Sequence, residues 1–142
     1  MSVHPLAQPV ALLAAWTFVI FFWMYATRIP AMIRAGIDLK ALRGGTGASL
    51  DQKLPPEVQW KAHNYNHLLE QPTLFYAVAL LLIVIGSASS HAVPLAWGYA
   101  GLRIAHSLVQ TTVNITRIRF LLFFAASLCL LGLVVIALLQ VF

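Results

Sequence analysis

The sequence predicts an all-α membrane protein that forms a single bundle of four transmembrane helices. Of its 142 residues, 61% are hydrophobic and only 9% are charged, whereas a soluble domain is typically about 25% charged. A soluble fold of this size could not hide so much apolar surface, because small domains leave a large share of their surface in water. The apolar residues also fall into runs near the length of about 20 residues that a helix needs to cross a bilayer.

The first predicted span, residues 9–27, contains no charged residue. We expect it to be retained, since a cleaved signal peptide has a basic segment before its apolar run and no Lys or Arg precedes Arg28. The apolar run that starts at Pro72 is too short to span alone, so its helix must begin earlier and should be kinked at the proline. The predicted spans cover about residues 9–27, 66–86, 93–112 and 118–141, with one long connection at 28–65.

The distribution of basic residues predicts the orientation of the chain. The connection 28–65 holds six Lys and Arg residues, the segment 1–8 and the turn 87–92 hold none, and Arg117 and Arg119 lie near the start of the last span. The positive-inside rule therefore places the first and third connections in the cytoplasm and both termini on the non-cytoplasmic side. Because the basic residues flank membrane spans, the net charge of +5 does not indicate a nucleic-acid partner.

Polar residues at membrane depth indicate a functional site, because a charge at the bilayer centre costs at least about 2.5–3.5 kcal/mol on insertion scales. On a continuous helix, five polar residues of the third span would lie within an arc of about 80°. They are Arg103, His106, Gln110, Asn114 and Arg117. A stripe of this kind suits an anionic ligand with many acceptors, since the arginine fork matches carboxylates. The alternative is that these residues hydrogen bond only between helices of the bundle.

The polar sequence before the second apolar run carries a second such face, which includes His63, Asn66 and Glu70. Glu70 is the acidic residue nearest to an apolar span, and we expect it to pair with Arg103. His63 and His67 have a spacing that could hold a metal, but that face offers no clear third ligand, and the single Cys129 cannot complete a site. No metal site is predicted.

Two segments carry a resemblance to a known family: HNYNHLLEQPTLFYAVAL at 63–80 and GLRIAHSLVQTTVNITRIRFLLF at 101–123. With the predicted topology, they resemble the MAPEG family (membrane-associated proteins in eicosanoid and glutathione metabolism), especially its small bacterial members. The resemblance implies a homotrimer in the bacterial inner membrane. It also implies that glutathione binds between neighbouring subunits near the cytoplasmic side.

The resemblance also implies roles for individual residues. Arg103 and His106 match the family's Arg-x-x-His in the third helix, and Asn66 and Glu70 match its asparagine and acid in the second. Either Arg117 or Arg119 matches the arginine thought to stabilise the glutathione thiolate. This chain departs from the pattern, since the spacing of Asn66 and Glu70 is one residue longer than usual.

Two details of the match therefore stay open. Aligning on Glu70 places His67, not Asn66, at the position of the family's asparagine. Gln110 stands where many members carry a tyrosine, and with Asn114 it completes the set of residues expected to contact glutathione.

By this resemblance the chain is expected to be a glutathione-dependent transferase or peroxidase, with glutathione as co-substrate and a lipophilic electrophile that enters from the membrane lipid. The alternative is a non-catalytic protein that binds lipid or an anion at the same stripe. A small transporter is the third reading, but the sequence has no internal repeat to support it.

Overall fold

The computed structural model describes residues 3–38, 40–41, 43–87 and 89–142. Throughout this part of the chain the regular structure is helical, with no strand. The elements are α1 (Ala7–Arg34), a short 3₁₀ turn (Ala48–Leu50), α2 (Pro56–Leu69), α3 (Gln71–Val84), α4 (Ala92–Thr111) and α5 (Thr116–Val141).

Three of these helical stretches are long and apolar enough to cross a membrane: α1, α2 together with α3, and α5. The fourth helix, α4, has 20 residues but is not among them. The reason is its composition, because α4 carries Arg103, His106 and Gln110, which are all buried against the rest of the chain. The bundle thus turns the polar side chains of α4 inward and leaves apolar faces of the other helices exposed.

The kink expected at Pro72 appears as a break between α2 and α3, at Glu70, whose backbone angles are not helical (φ −87°, ψ −97°). Proline has no N–H to donate to the carbonyl of the residue four positions earlier, and its ring clashes with that carbonyl. The last carbonyls of α2 are therefore left without partners inside the helix. In a membrane protein they must find other donors, because lipid offers none.

The predicted connection 28–65 is helical at both ends, since α1 continues to Arg34 and α2 begins at Pro56. The middle of the connection packs against α1 through a small cluster of buried side chains. In this cluster Ala31 and Met32 of α1 contact Leu50 and Leu54 of the connection. The connection therefore lies against α1, and it does not extend away from the bundle.

The main core combines a few large side chains with many alanines. Phe75 of α3 and Tyr99 of α4 stack with ring centroids 4.5 Å apart, and both are fully buried. Ala79, Ala96, Ala100 and Ala126 are also fully buried. Small residues at the contacts allow helix backbones to approach closely, which is the usual means of packing helices in lipid.

A buried chain of hydrogen bonds joins α1, α2 and α4. The indole N–H of Trp16 donates to the Ser107 hydroxyl (2.9 Å), and this hydroxyl donates to the amide oxygen of Asn64. The amide nitrogen of Asn64 then donates to the side-chain oxygen of Gln110 (2.8 Å). Each of the three buried members, Asn64, Ser107 and Gln110, thus has a partner on another helix and none has a buried atom left unpaired, so these bonds hold the helices together.

Replacing Asn64 by alanine should destabilise the protein by about 1–2 kcal/mol, because Ser107 and Gln110 would each lose a buried partner. Thermal unfolding in detergent micelles measures the effect. Asn66→Ala is the matched control, since Asn66 is on the same helix but exposed, and it should leave the melting temperature nearly unchanged. Equal effects of the two substitutions would contradict the assignment of Asn64 to the network.

Candidate functional site

Arg103 is the one arginine of α4, and it has no exposed surface. Its Nη2 donates to the backbone carbonyl of His67 (2.8 Å) and contacts Nδ1 of the same residue (2.9 Å). That carbonyl belongs to the last turn of α2, where the break at Glu70 has removed its helical partners. Arg103 therefore closes the end of a broken helix and is held in place by it.

The other nitrogens of this guanidinium, Nε and Nη1, are buried and have no hydrogen-bond partner within the described chain. The expected ion pair between Glu70 and Arg103 is wrong, because the one ion pair among the described residues joins His63 to Asp51. Glu70 is exposed at the helix break. Buried polar groups without partners are uncommon in proteins, and each one calls for an explanation, such as a functional role or a bound ion or water.

Two histidine rings, His67 of α2 and His106 of α4, stack beside Arg103. Their centroids are 4.9 Å apart and their planes differ by 15°, and the ring of Phe123 of α5 packs against both. His106 is 2% exposed, and its Nδ1 has no partner within the described residues. The pair thus adds further hydrogen-bonding groups to the unpaired nitrogens of Arg103.

These side chains border a pocket of about 220 Å³. Its lining residues are His67, His106, Thr116, Arg119, Phe120 and Phe123. The guanidinium of Arg103 is not a lining group, but it contacts the lining residue His67 and lies 5.5 Å from the centre of the Phe123 ring. None of the lining residues is acidic, so the pocket joins cationic and N–H groups to an aromatic wall. This chemistry suits an anionic ligand that also has apolar parts.

Arg119 faces this pocket and Arg117 does not. Nη1 of Arg119 donates to the side-chain oxygen of Asn114 (2.7 Å), while its Nε is buried without a partner in the described chain. Arg117 is exposed and is not among the lining residues. The structure thus separates two arginines that the sequence left equivalent.

The prediction of one continuous polar stripe from Arg103 to Arg117 is wrong, because α4 ends at Thr111. Asn114 adopts a left-handed conformation (φ +51°), which asparagine tolerates better than most residues. Its N–H donates to the carbonyl of Val109 (2.7 Å). A new helix begins at Thr116, so the spacing counted along one helix no longer applies to Arg117.

The structure places the predicted site residues in three groups. His106 and Arg119 line the pocket, while Arg103 and Asn114 each contact a lining residue, His67 and Arg119 respectively. Gln110 belongs to the structural network through Asn64. The exposed residues, which are not brought to this pocket, are Asn66, Glu70 and Arg117.

His67 is the pocket residue that the preferred alignment missed. The sequence indicates His67 through its spacing from Glu70. When Glu70 is aligned with the family's acid, His67 falls at the position of the family's asparagine. Phe123 had no signal in the sequence, since one phenylalanine among many in an apolar helix cannot be distinguished from packing. His63 and His67, which have a metal-binding spacing, have different partners here, Asp51 and Arg103 respectively.

Apolar helices of membrane length, together with a buried polar site inside the bundle, define an integral membrane protein. The chain belongs to the MAPEG family, whose family model matches residues 6–139. The resemblance drawn from the segments 63–80 and 101–123 is thereby confirmed. Comparison with curated proteins and with solved structures gave no match.

The contact with Arg103 determines the protonated nitrogen of His67. A guanidinium can only donate, so Nδ1 of His67 must accept and its hydrogen must lie on Nε2. We therefore expect a neutral Nε2–H imidazole for His67 at neutral pH. Nitrogen NMR of histidine-labelled protein measures this, with the resonance assigned through a His67→Gln variant. An Nδ1–H tautomer, or no change of the His67 signal in Arg103→Met, would show that this contact does not form.

Proposed function

We propose that the protein is a glutathione-dependent transferase or peroxidase that acts on lipophilic electrophiles. The observation that carries the proposal is the unsatisfied guanidinium of Arg103 beside a pocket that also holds Arg119, in a chain of the MAPEG family. Glutathione supplies what this pocket lacks, because it brings carboxylates for the unpaired N–H groups and a thiol that can react.

In this proposal Arg103 binds a carboxylate of glutathione through Nε and Nη1, the two nitrogens that His67 does not occupy. The Nε2–H of His67 and the ring of His106 add hydrogen bonds. The break at Glu70 holds Arg103 rigidly, so little side-chain freedom is lost on binding. Positioning the peptide in this way places its thiol at the part of the pocket that Arg119 borders.

Arg119 is then the residue that activates the thiol. A nearby cation lowers the pKa of a thiol and favours the reactive thiolate. In a transfer reaction the thiolate sulfur bonds to the electrophilic carbon while the bond from that carbon to its leaving group breaks, and the leaving group departs with the electron pair and takes up the thiol proton through solvent. With a hydroperoxide the sulfur attacks the terminal oxygen, the O–O bond breaks to release the alcohol, and a second glutathione thiol reduces the resulting sulfenic acid to the disulfide and water. Arg119 is a better candidate than Arg117, because it lines the pocket and its Nε is free.

We further propose that the active form is a homotrimer with four spans per subunit, the third of which is α4, and that glutathione lies between neighbouring subunits on the cytoplasmic side. In the single chain, Thr116 and Phe120 of the pocket are exposed, so a neighbouring subunit could close it. Asn66 and Glu70 are exposed as well and would reach glutathione only across such an interface. Both termini would be non-cytoplasmic, in a bacterial inner membrane.

One observation favours a non-catalytic binder as the second candidate. Nη1 of Arg119 is already engaged by Asn114, which removes part of its capacity to stabilise a thiolate. A protein that only held a lipid or anionic ligand would need Arg103 and the pocket, but it would not need a free cation near a thiol.

Arg119→Ala should lower turnover with glutathione and a lipophilic electrophile by about 10²–10³-fold, which is typical for loss of a group that stabilises charge in the reaction. Arg117→Ala, the matched control, should retain turnover within about twofold, as expected for a surface substitution. Steady-state kinetics and calorimetric binding of glutathione, measured on the same preparations, separate the two candidate functions.

Under the enzyme proposal, Arg119→Ala loses turnover while it still binds glutathione through Arg103. If the wild type binds glutathione but turns over none of a panel of electrophiles and peroxides, the non-catalytic binder is the better account. Full turnover in Arg119→Ala would remove this residue from the mechanism.

A further inference from the structure

A second pocket, of about 330 Å³, lies where α1 meets the long connection. One wall is formed by Tyr25, Arg28 and Met32 of α1, and the other by the turn at 45–47 with Leu50. This pocket has no residue in common with the one near Arg119. It is mostly apolar and has a single cation, Arg28, in its wall.

Arg28 is held in place but only partly satisfied. Its Nη2 donates to the backbone carbonyl of Gly47 (2.9 Å), while its Nε is buried with no partner in the described chain. Asp51 of the connection lies near enough to Arg28 for their charges to interact, but it accepts hydrogen bonds from Gln59 and His63 and makes no ion pair with Arg28. The guanidinium therefore keeps its charge and part of its donor capacity available for an anion.

The carboxylate of Asp51 is already hydrogen bonded to Gln59 and His63. The hydrogen bond from His63 lowers the pKa of Asp51 below its ordinary value, so the carboxylate remains charged and bound near neutral pH. The surrounding sequence is basic all the same, since the range 28–65 holds six Lys and Arg residues against Asp38, Asp51 and Glu57. An anion that approaches this end of the bundle meets a net positive charge.

An apolar ridge leads away from the pocket along α1. Phe18, Phe22, Tyr25 and Ile29 follow a helical spacing of four, three and four residues, and they are 63%, 65%, 43% and 43% exposed. The ridge extends about 16 Å, at about 1.5 Å per residue. It runs from Arg28 into the most apolar part of α1, which is the direction that the acyl chain of a lipid takes from its headgroup.

We propose that this pocket binds an anionic phospholipid, with its phosphate at Arg28 and the turn 45–47, and one acyl chain along the ridge from Ile29 to Phe18. A cation at the membrane interface with an apolar path beside it matches the two halves of such a lipid. The bound headgroup would link α1 to the long connection and would hold this connection at the membrane surface.

Thr46 offers a way to test the pocket without removing Arg28. Its side-chain oxygen accepts a hydrogen bond from the backbone N–H of Ser49 (3.3 Å), at the start of the 3₁₀ turn. Aspartate and asparagine both preserve this acceptor, but only aspartate brings a negative charge into the pocket. Thr46→Asp and Thr46→Asn are therefore a matched pair that differs in charge.

The experiment is calorimetric binding of dioctanoyl phosphatidylglycerol to the full chain in a neutral detergent. Thr46→Asp and Arg28→Gln should each weaken binding about tenfold, the usual loss of a charge-assisted hydrogen bond. Thr46→Asn should bind like the wild type, as should Arg34→Gln, a control on the same helix outside this pocket.

Phosphatidylcholine of the same chain length and free glycerol phosphate identify the part of the lipid that is recognised. We expect both to bind much more weakly than phosphatidylglycerol. Glycerol phosphate that binds as tightly as the lipid would overturn the role of the ridge, since a free phosphate would then suffice. If Thr46→Asp bound each of the three ligands as tightly as the wild type does, the site itself would be overturned. Neither result bears on the pocket near Arg119, which is assayed separately by glutathione binding and turnover.

Discussion

The hydrogen bond from Arg103 to the carbonyl of His67 is the contact on which the site depends. Pro72 prevents α2 and α3 from forming one continuous helix, and the break at Glu70 leaves carbonyls at the end of α2 without donors. Arg103 satisfies one of them and in doing so also orients the ring of His67. The position of a cation inside the bundle is thus a consequence of one proline on another helix.

Two groups of buried polar residues lie close together in this bundle and differ in one respect. In the chain from Trp16 to Gln110, each hydrogen bond joins a donor to an acceptor within the protein, and no side-chain atom of these residues is buried without a partner. Around Arg103 the donors exceed the acceptors. Nε and Nη1 of Arg103 and Nδ1 of His106 have no partner among the described residues. A satisfied network stabilises the fold, whereas an unsatisfied one costs stability that the binding of a ligand can recover. This difference supports a binding role for Arg103 and a structural role for Asn64.

Much of this architecture could be predicted from the sequence, because its signals are local. The run 9–27, the break caused by Pro72 and the i, i+3 pair of Arg103 and His106 each depend on neighbouring residues. What could not be predicted depends on where helices end. The turn at Asn114 has no strong breaker such as proline or glycine, so helical spacing alone carries the polar stripe on to Arg117 and does not distinguish this residue from Arg119. Likewise Asn64 and Asn66 lie two residues apart on one helix, and only their packing shows which of them is buried.

The central claim is that the pocket lined by Arg119, next to the buried Arg103, holds glutathione with its thiol ionised. Ultraviolet difference spectroscopy of the thiolate, recorded as glutathione is added to the purified protein at neutral pH, tests it most directly. The account predicts thiolate absorption that saturates with glutathione, persists in Arg117→Ala and is lost in Arg119→Ala. A wild-type protein that binds glutathione by calorimetry but develops no thiolate absorption would contradict it.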